Sequence, residues 1–595
     1  MVTVCHIQPD YYRDSVFLMR AAQAIRKDPG VLDVAMMMGT PANKRSLRAG
    51  GLLPQAAESA DPSDLIVVVS AETQTAADAA VAAAIAQLTA ATAAADGPGT
   101  ASESHWSSLE EAVQSDPEAN VALISVPGAF AAAEARRALS RGLNVMLFSD
   151  NVTVAAEVRL KAIGRAEGRL VMGPDCGTAI IDGVPLGFAN AVPPGRIGVI
   201  GASGTGMQAV TCLLARAGLG ISQAIGTGSR DLSAEVGGAS TLQALELLAR
   251  DPATDVVVLV SKLPSAQVAD RVVASLGACG KPGVVNFLGY LPKGSASESV
   301  TYVRLLEDVV PEVARLVGAE WPCGPLEFWW PGDEVATVLK CEREKLLPGQ
   351  NLIRGLYCGG TLCQEAALLL AERNLAVQPA VTPDGAKSVV FPNADHCLID
   401  LGGDEFTVGR PHPMIDTSLR AQLLLQCAGE PHVGVVLFDV VLGFGAHPDP
   451  AAELAEAVDA GRRRAARDGR ELSFIASVCG TNADPQGLRR SEALLQTAGV
   501  VVLPTNAQAA RLACLVAGGG AADADACSVV PSRSDSAAAT TGSQPLFGSR
   551  CRVVNVGLRG FHDALRTVGA PVVQVDWRPP LGGDPALADR LAKIL

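Results

Sequence analysis

The sequence predicts a multidomain α/β protein built on parallel sheets. Three observations carry that expectation. Strand-like apolar runs alternate with helix-spaced patterns along most of the chain. At 595 residues the chain is too long for one core, so about three or four domains are expected. The stretch Ile197 to Gly206, I-G-V-I-G-A-S-G-T-G, is an apolar strand entering a glycine-rich turn. Val210, Leu213, Leu214 and Ala217 follow at helical spacing, so the unit reads strand–turn–helix.

Residues 1–90 read as a small α/β domain, with strands at 2–8, 31–38 and 65–69 and helices at 13–27 and 75–90. Residues 91–104, rich in Ala, Gly, Pro and Ser, read as a linker. Residues 105–194 alternate strands at 121–126, 144–148 and 169–172 with helices at 130–141 and 153–166, the rhythm of a Rossmann-like unit. A second such unit, 195–320, continues from the glycine-rich stretch through strands at 221–226, 255–260 and 283–288. Its helices are expected at 239–250, 265–276 and 301–317. Prolines and mixed charge make 321–351 a connector. Residues 352–520 carry strands at 353–357, 397–401, 433–439, 472–478 and 499–503. The Ala/Ser/Asp-rich segment 521–549 reads as disordered or a surface excursion. Residues 550–595 close the chain as two βα units, with helices at 559–568 and 585–594.

Composition excludes several classes. The net charge is −14 and no basic run stands out, so neither nucleic acid nor an anionic membrane is an expected partner. No apolar run has the length to span a bilayer, and Met1 to Gln8 has no signal-peptide pattern. The 14 cysteines form no C-x-x-C pair and read as reduced, buried thiols of a cytoplasmic protein. The seven histidines form no H-E-x-x-H, and no metal site is expected.

Several residues could carry chemistry. Gly201, Ala202, Ser203, Gly204, Thr205 and Gly206 place backbone N–H groups at the positive end of a helix, which suits an anion. An ordinary βα turn fits the same residues equally well, since the pattern is not G-x-G-x-x-G and lacks a P-loop lysine. Gly443, Phe444, Gly445 and Ala446, at the end of V-V-L-F-D-V-V-L-G-F-G, repeat the design. If their sheets pack together, both turns could face one ligand. Lys262 ends an all-apolar strand, where ligands of parallel sheets bind; the alternative is a lysine snorkelling to the rim. Arg230 could grip a carboxylate or simply pair locally with Asp231. The loop 402–416 gathers Asp404, Glu405, Arg410, His412 and Asp416, and its prolines favour a clamp with an acid or base over a solvated turn. His447 could move a proton beside the second turn or merely cap a loop before Pro448. Cys176 and Cys479 lie at strand exits without a nearby histidine and read as inert.

Longer stretches carry a resemblance. D-S-V-F-L-M and M-M-M-G-T-P-A-N-K near the N-terminus join N-V-M-L-F-S-D-N-V-T at 144–153 and V-M-G-P-D-C-G-T at 171–178. With the stretch 197–206, R-D-L-S-A-E-V-G-G at 230–238 and V-G-R-P-H-P-M-I-D at 408–416, they resemble the FdrA family, related to succinyl-CoA synthetase. The resemblance covers nearly the whole chain. It implies Rossmann-like and flavodoxin-like sheets as in the synthetase α-subunit over 105–317, a CoA-binding-like domain at 105–194 and then a ligase-like domain at 195–320, and the CoA-ligase domain of the β-subunit over 352–519. In the synthetases two helix N-termini, one from each half, hold the phosphate, and the turns at 201–206 and 443–446 match those places.

The chain also departs from the synthetases. The stretch 288–298 has no histidine where their phosphohistidine belongs, and Lys262 replaces the glutamate that steadies it. No ATP-grasp domain is present, and the first strand and glycine-rich turn that help hold CoA are missing before residue 120. These departures count against CoA and ATP and leave Mg²⁺ open. FdrA-like proteins are associated with carbamoyl transfer in allantoin and purine breakdown. The resemblance therefore implies a carbamoyltransferase subunit acting between carbamoyl phosphate and oxamate or oxalurate. Backbone donors and Lys262 would hold phosphate, Arg230 or Arg410 the substrate carboxylate, and His412, His447 or Asp175 would move protons. Heterologous subunits and further copies of the chain are expected partners, because the two C-terminal βα units need neighbours and must dock on the region 352–520, on a second copy of the chain or on a partner subunit. The alternatives are a subunit of a CoA-dependent acyl-CoA synthetase or transferase, and a non-catalytic metabolite-binding scaffold.

Overall fold

The computed structural model describes residues 1–9, 11–49, 51–95, 106–290, 299–321, 327–382, 389–407, 411–518, 546–579 and 590. The chain is α/β, with three sheets that are parallel or mostly parallel and one that is antiparallel.

The antiparallel sheet is N-terminal. It contains β1 (Val2–Gln8), α1 (Ser15–Arg26), β2 (Val31–Met38), α2 (Pro41–Ala49), α3 (Gln55–Glu58), β3 (Leu65–Ala71) and α4 (Gln74–Ala95), with strand order β1-β3-β2. Every residue of β3 is buried because it is central and covered on both faces. Val67 and Val69 meet Leu18 and Ile25 of α1, whereas Ile66 and Val68 meet Leu47 of α2.

The next sheet starts with α5 (Leu109–Ser115), β4 (Val121–Ile124), α6 (Gly128–Ser140), β5 (Asn144–Leu147), α7 (Val154–Ala166) and β6 (Val171–Met172). A hairpin follows, β7 (Thr178–Ile181) and β8 (Val184–Gly187), turning through Asp182 and Gly183 at positive φ. This hairpin leaves the first sheet and pairs with the second, antiparallel to β10. The mostly parallel second sheet holds β9 (Pro194–Gly201), α8 (Gly204–Arg216), β10 (Ile221–Gly226), α9 (Ala239–Arg250), β11 (Val256–Ser261), α10 (Ala266–Gly277), β12 (Gly283–Phe287), β13 (Val300–Tyr302) and α11 (Val309–Val317). Its order is β13-β12-β11-β9-β10-β7-β8. The helix expected over 301–317 is thus a short strand followed by a shorter helix. The β-branched run at its start joins the sheet edge instead.

The connector contains a helix, α12 (Gly332–Glu344). The following parallel sheet holds β14 (Leu352–Tyr357), α13 (Gly360–Glu372), β15 (Cys397–Asp400), α14 (Asp404–Thr407), α15 (Ser418–Ala428), β16 (Val433–Val441), α16 (Pro450–Arg467), β17 (Ser473–Cys479), α17 (Leu488–Thr497), β18 (Val501–Leu503) and α18 (Asn506–Val516). Its order is β15-β14-β16-β17-β18. One continuous core runs from this sheet to the preceding one and includes Val199, Val260, Leu369, Val435 and Leu512.

The C-terminal segment supplies β19 (Val553–Val556), α19 (Arg559–Thr567) and β20 (Val572–Val575). β19 pairs in parallel with β4, residue for residue from Val553 beside Val121 to Val556 beside Ile124. The five-stranded order is β20-β19-β4-β5-β6. These units therefore dock not on the region 352–520 but on 105–194, whose sheet they complete. The strand beside β4, with Gly557 and Gly560 following it, is thus delivered from the far end of the chain. The excursion at 521–549 lies outside the described residues except for 546–549, as do the linker from 96 onward and the last expected helix except residue 590.

Candidate functional site

The site is built where the second and third mostly parallel sheets face each other. Ser203 caps α8, its Oγ accepting the N–H of Gly206 at 3.1 Å. The first turn of a helix has N–H groups without intrahelical partners, and those of Gly204 and Thr205 remain after Ser203 has taken that of Gly206. The same Ser203 hydroxyl is hydrogen-bonded to Thr361 in the first turn of α13. A β-carbon on Gly359 would lie 3.1 Å from Thr205. Two helix N-termini, one from each sheet, thus touch at their first turns.

The second of these is not where the sequence placed it. Gly443 to Ala446 forms a turn, but no helix begins there; α16 starts only at Pro450, capped by Asp449. The turn packs beside the first one. Gln208 of α8 and Asn190 both donate to Leu442 O, and Phe444 N–H donates to Ala189 O. Gly443 and Gly445 have φ of 126° and 71°, and the bulk of Ala189, Asn190 and Phe561 leaves no room for side chains there. Cys358 to Thr361, C-G-G-T at a strand exit, had the same strand–glycine–hydroxyl–helix pattern and could have been read.

The N-terminus of α13 is fixed from below. Asp439 is fully buried on β16 and accepts from Cys358 N–H and Gly359 N–H, both at 2.8 Å, while Arg420 pairs with it at 3.0 Å. Above it stand Lys262 and Asp400, 4.0 Å apart. Burial raises the Asp400 carboxyl, opposed by the Lys262 charge.

His412 sits over this cluster. Its ring tilts against Phe188 with centroids 5.6 Å apart, and Nε2 lies 2.8 Å from where a Gly402 β-carbon would be. Nδ1 accepts the Met414 N–H at 3.2 Å. Burial first, then the Arg420 charge, pushes the ring down to about 4. A neutral ring whose Nδ1 accepts carries its proton on Nε2, so it presents a donor there.

Arg230 pairs with the buried Glu157 at 3.1 Å and donates to Val152 O at 2.7 Å. Glu157 and Asp231 share the buried Lys161, so this is a strut between two sheets, and Arg230 pairs with Glu157 rather than with the adjacent Asp231. Asp175 is exposed at positive φ, on the loop before the hairpin. His447 bonds Glu453 at 3.4 Å, its Nδ1 accepting the Asp449 N–H. Arg410 lies outside the described residues. Cys176 is buried and its thiol is pushed up to about 12 by burial, as an inert thiol requires. Among the described residues no group of three or more His, Cys, Asp or Glu could hold a metal, and no helix is long and apolar enough to cross a membrane.

Comparison with known proteins finds several similarities. Residues 356–516 match the CoA-ligase family, residues 193–288 a CoA binding domain, and residues 1–105 the heavy metal-associated domain of AllF. The uncharacterized protein YahF of Escherichia coli K12 is 38% identical over 509 residues, covering 85% of this chain and 97% of YahF. Succinate–CoA ligase [ADP-forming] subunit alpha 2 of Archaeoglobus fulgidus is 29% identical over 162 residues, 27% of this chain and 55% of that one. Malate–CoA ligase subunit alpha of Methylorubrum extorquens is 28% identical over 212 residues, covering 33% and 70%. Among solved structures, the dinucleotide-forming acetyl-coenzyme A synthetase 1 of Ca. Korarchaeum cryptofilum aligns over 67% of this chain and 82% of its own, at 15% identity and a TM-score of 0.23.

These findings correct two expectations. The relatives whose names give an activity are CoA ligases, as is the matching CoA-ligase family, so the carbamoyltransferase reading, with its carbamoyl phosphate and oxamate or oxalurate, is overturned. The case against CoA and ATP also falls, since the matches are to CoA-binding and CoA-ligase domains and to ADP-forming ligases.

Proposed function

This chain belongs to the same family as the Escherichia coli protein YahF, and from that premise we propose that it is a subunit of a CoA-dependent acyl-CoA synthetase. Its reaction joins an acyl group, delivered as acyl phosphate, to the CoA thiol. The AllF-type N-terminal match supports an FdrA-type reading of the chain as a whole. The relatives named as alpha subunits support the word subunit.

The observation that carries the proposal is the position of β19. Strand order reverses between β19 and β4: the chain leaves β19 toward β20 and leaves β4 toward β5 and β6. Ligands of open parallel sheets bind beyond the strand ends at such a switch point. Gly557 there has φ 125°, and a β-carbon on it would stand 2.6 Å from Ser125 Oγ. Gly560 has no atom within 4 Å of its β-carbon position, so the crevice is open beside the first turn of α19. That cradle suits the diphosphate of CoA. CoA, when bound, supplies the thiol that accepts the acyl group.

The chain's own residues do the rest. Gly204 and Thr205 N–H groups and the Lys262 ammonium hold the phosphate oxygens and offset the charge that develops as the acyl–oxygen bond breaks. His412 donates from Nε2 toward the acyl carbonyl as a neutral donor. Phe561 of α19 packs against Phe148 and Phe188, which ties the crevice to the His412 side of the site.

Calorimetry with CoA tests the reading. CoA is expected to bind the wild-type chain, and Gly560→Glu, which fills the crevice with a like charge, to abolish binding without unfolding the chain. A wild-type chain that binds no CoA sinks the proposal.

A further inference from the structure

Asp400 ends β15 with one oxygen committed and one free. Oδ1 accepts the Gly402 N–H at 3.0 Å. Oδ2 makes no hydrogen bond among the described residues and stands 4.0 Å from Lys262 Nζ. The side chain is 33% exposed, so a substrate can reach it. Both charged groups rest on the first residue of α13. A β-carbon on Gly360 would overlap Oδ2 and lie 2.7 Å from Nζ. The neighbouring Gly359 abuts Thr205, in the first turn of α8. The free oxygen therefore lies beside two helix N-termini and one ammonium.

The other candidate nucleophiles of the site are spent or unactivated. Both oxygens of Asp439 are bonded and buried. The Ser203 and Thr361 hydroxyls bond each other. They would also need a base, and His412 presents a proton at Nε2 rather than a lone pair. A carboxylate needs no base, because it is already an anion.

We propose that Asp400 is the covalent phosphoryl carrier of this site. The assignment rests on the acyl phosphate reading above. Oδ2 attacks the phosphorus of the acyl phosphate. The bond from phosphorus to the acyl oxygen breaks, and the carboxylate of the acyl group leaves with the electron pair. The product is an aspartyl phosphate, no proton is transferred, and the reverse step returns the phosphoryl group. Lys262 and the Gly204, Thr205 and α13 N–H groups face the oxygens whose charge must be held during transfer.

The experiment uses the full-length chain with acetyl phosphate labelled on phosphorus. A phosphoryl group that hydroxylamine removes, mapped by proteolysis to the peptide containing Asp400, is the expected result. Asp400→Asn should reduce the label to background. Fluoroberyllate, which needs no acyl group, should give a bound fluorine resonance in the wild type that is lost in Asp400→Asn. Label on another residue, label that survives Asp400→Asn, or neither label nor bound fluoroberyllate in the wild type overturns the proposal. CoA calorimetry on the same preparations checks that the variant is folded and judges the acyl-CoA reading separately. CoA binding without a phosphorylated Asp400 leaves that reading standing and removes only the carrier.

Discussion

Gly204 and Gly206 lie two residues apart, and a methyl group affects them differently. At Gly206 it would meet Ser203 Oγ at 2.5 Å, Val260 at 3.0 Å and Thr361 at 3.1 Å. Gly206→Ala therefore forces apart the two helix ends and is expected to cost about 1–3 kcal/mol of stability, read as a lower Tm. At Gly204 the nearest atom is Thr178 Oγ1 at 3.5 Å, an ordinary contact. Gly204→Asp should keep the wild-type Tm and lose phosphate binding, because the new carboxylate takes the place of the anion. His412 gives a pH signature. Its pKa falls from 6.5 to about 4 in the folded chain, so the unfolded state binds more protons between those values. Stability therefore rises with pH across that window, by up to about 3 kcal/mol. Thermal melts of His412→Asn should lack that rise. Ser203 and Lys262 were legible because strand exits of parallel sheets are where ligands bind. Asp400 was not, because nothing in the order L-I-D-L-G-G shows that its carboxylate meets a lysine 138 positions earlier. The partner of Arg230 was hidden for the same reason: Glu157 is distant in sequence.

Elements were legible where period and length agreed, as at β9 with α8 and at β16. The hairpin β7–β8 was missed although Asp182-Gly183, both at positive φ, is a strong hairpin signal. Its strands of 4 residues each are too short to show a period. The C-terminal strands were read as strands, yet their place was not legible, because pairing partners 432 residues apart, such as Val553 and Val121, leave no local mark. That placement makes a sharp prediction for Gly557. A side chain there would need φ 125° and would strike Ser125 through both its side chain and its backbone. Gly557→Val is expected to part β19 from β4, lowering stability by about 2–4 kcal/mol and weakening CoA binding in step. Thermal melts and CoA calorimetry on one preparation check it. Weaker CoA binding with an unchanged Tm would mean that the glycine serves the ligand alone.

The whole molecule turns on the seam between the two sheets whose helices α8 and α13 form the site. Apolar packing makes the seam continuous, and a set of buried polar bonds fixes its register. Glu365 of α13 accepts Leu306 N–H at 2.8 Å from one side and Asn506 Nδ2 at 2.9 Å from the other. Glu307 beside it takes Thr505, Gln508 and Arg511. Burial raises Glu365 from 4.5 to about 7, only partly countered by its two hydrogen bonds. The folded chain thus holds a proton there that the unfolded chain has released, and between those two values folding takes up protons. This contribution is fully present below 4.5 and is lost as pH rises through 7, opposite in sign to that of His412. Glu365→Gln removes the titration but also disturbs a hydrogen bond, and the two effects separate by their shape. The lost bond shifts stability by the same amount at every pH. The lost titration makes the difference between variant and wild type climb in the variant's favour from pH 4.5 to 7, by up to about 3 kcal/mol. Tm measured for both proteins across that range resolves the two. A difference that stays flat would show that Glu365 keeps its charge within the seam.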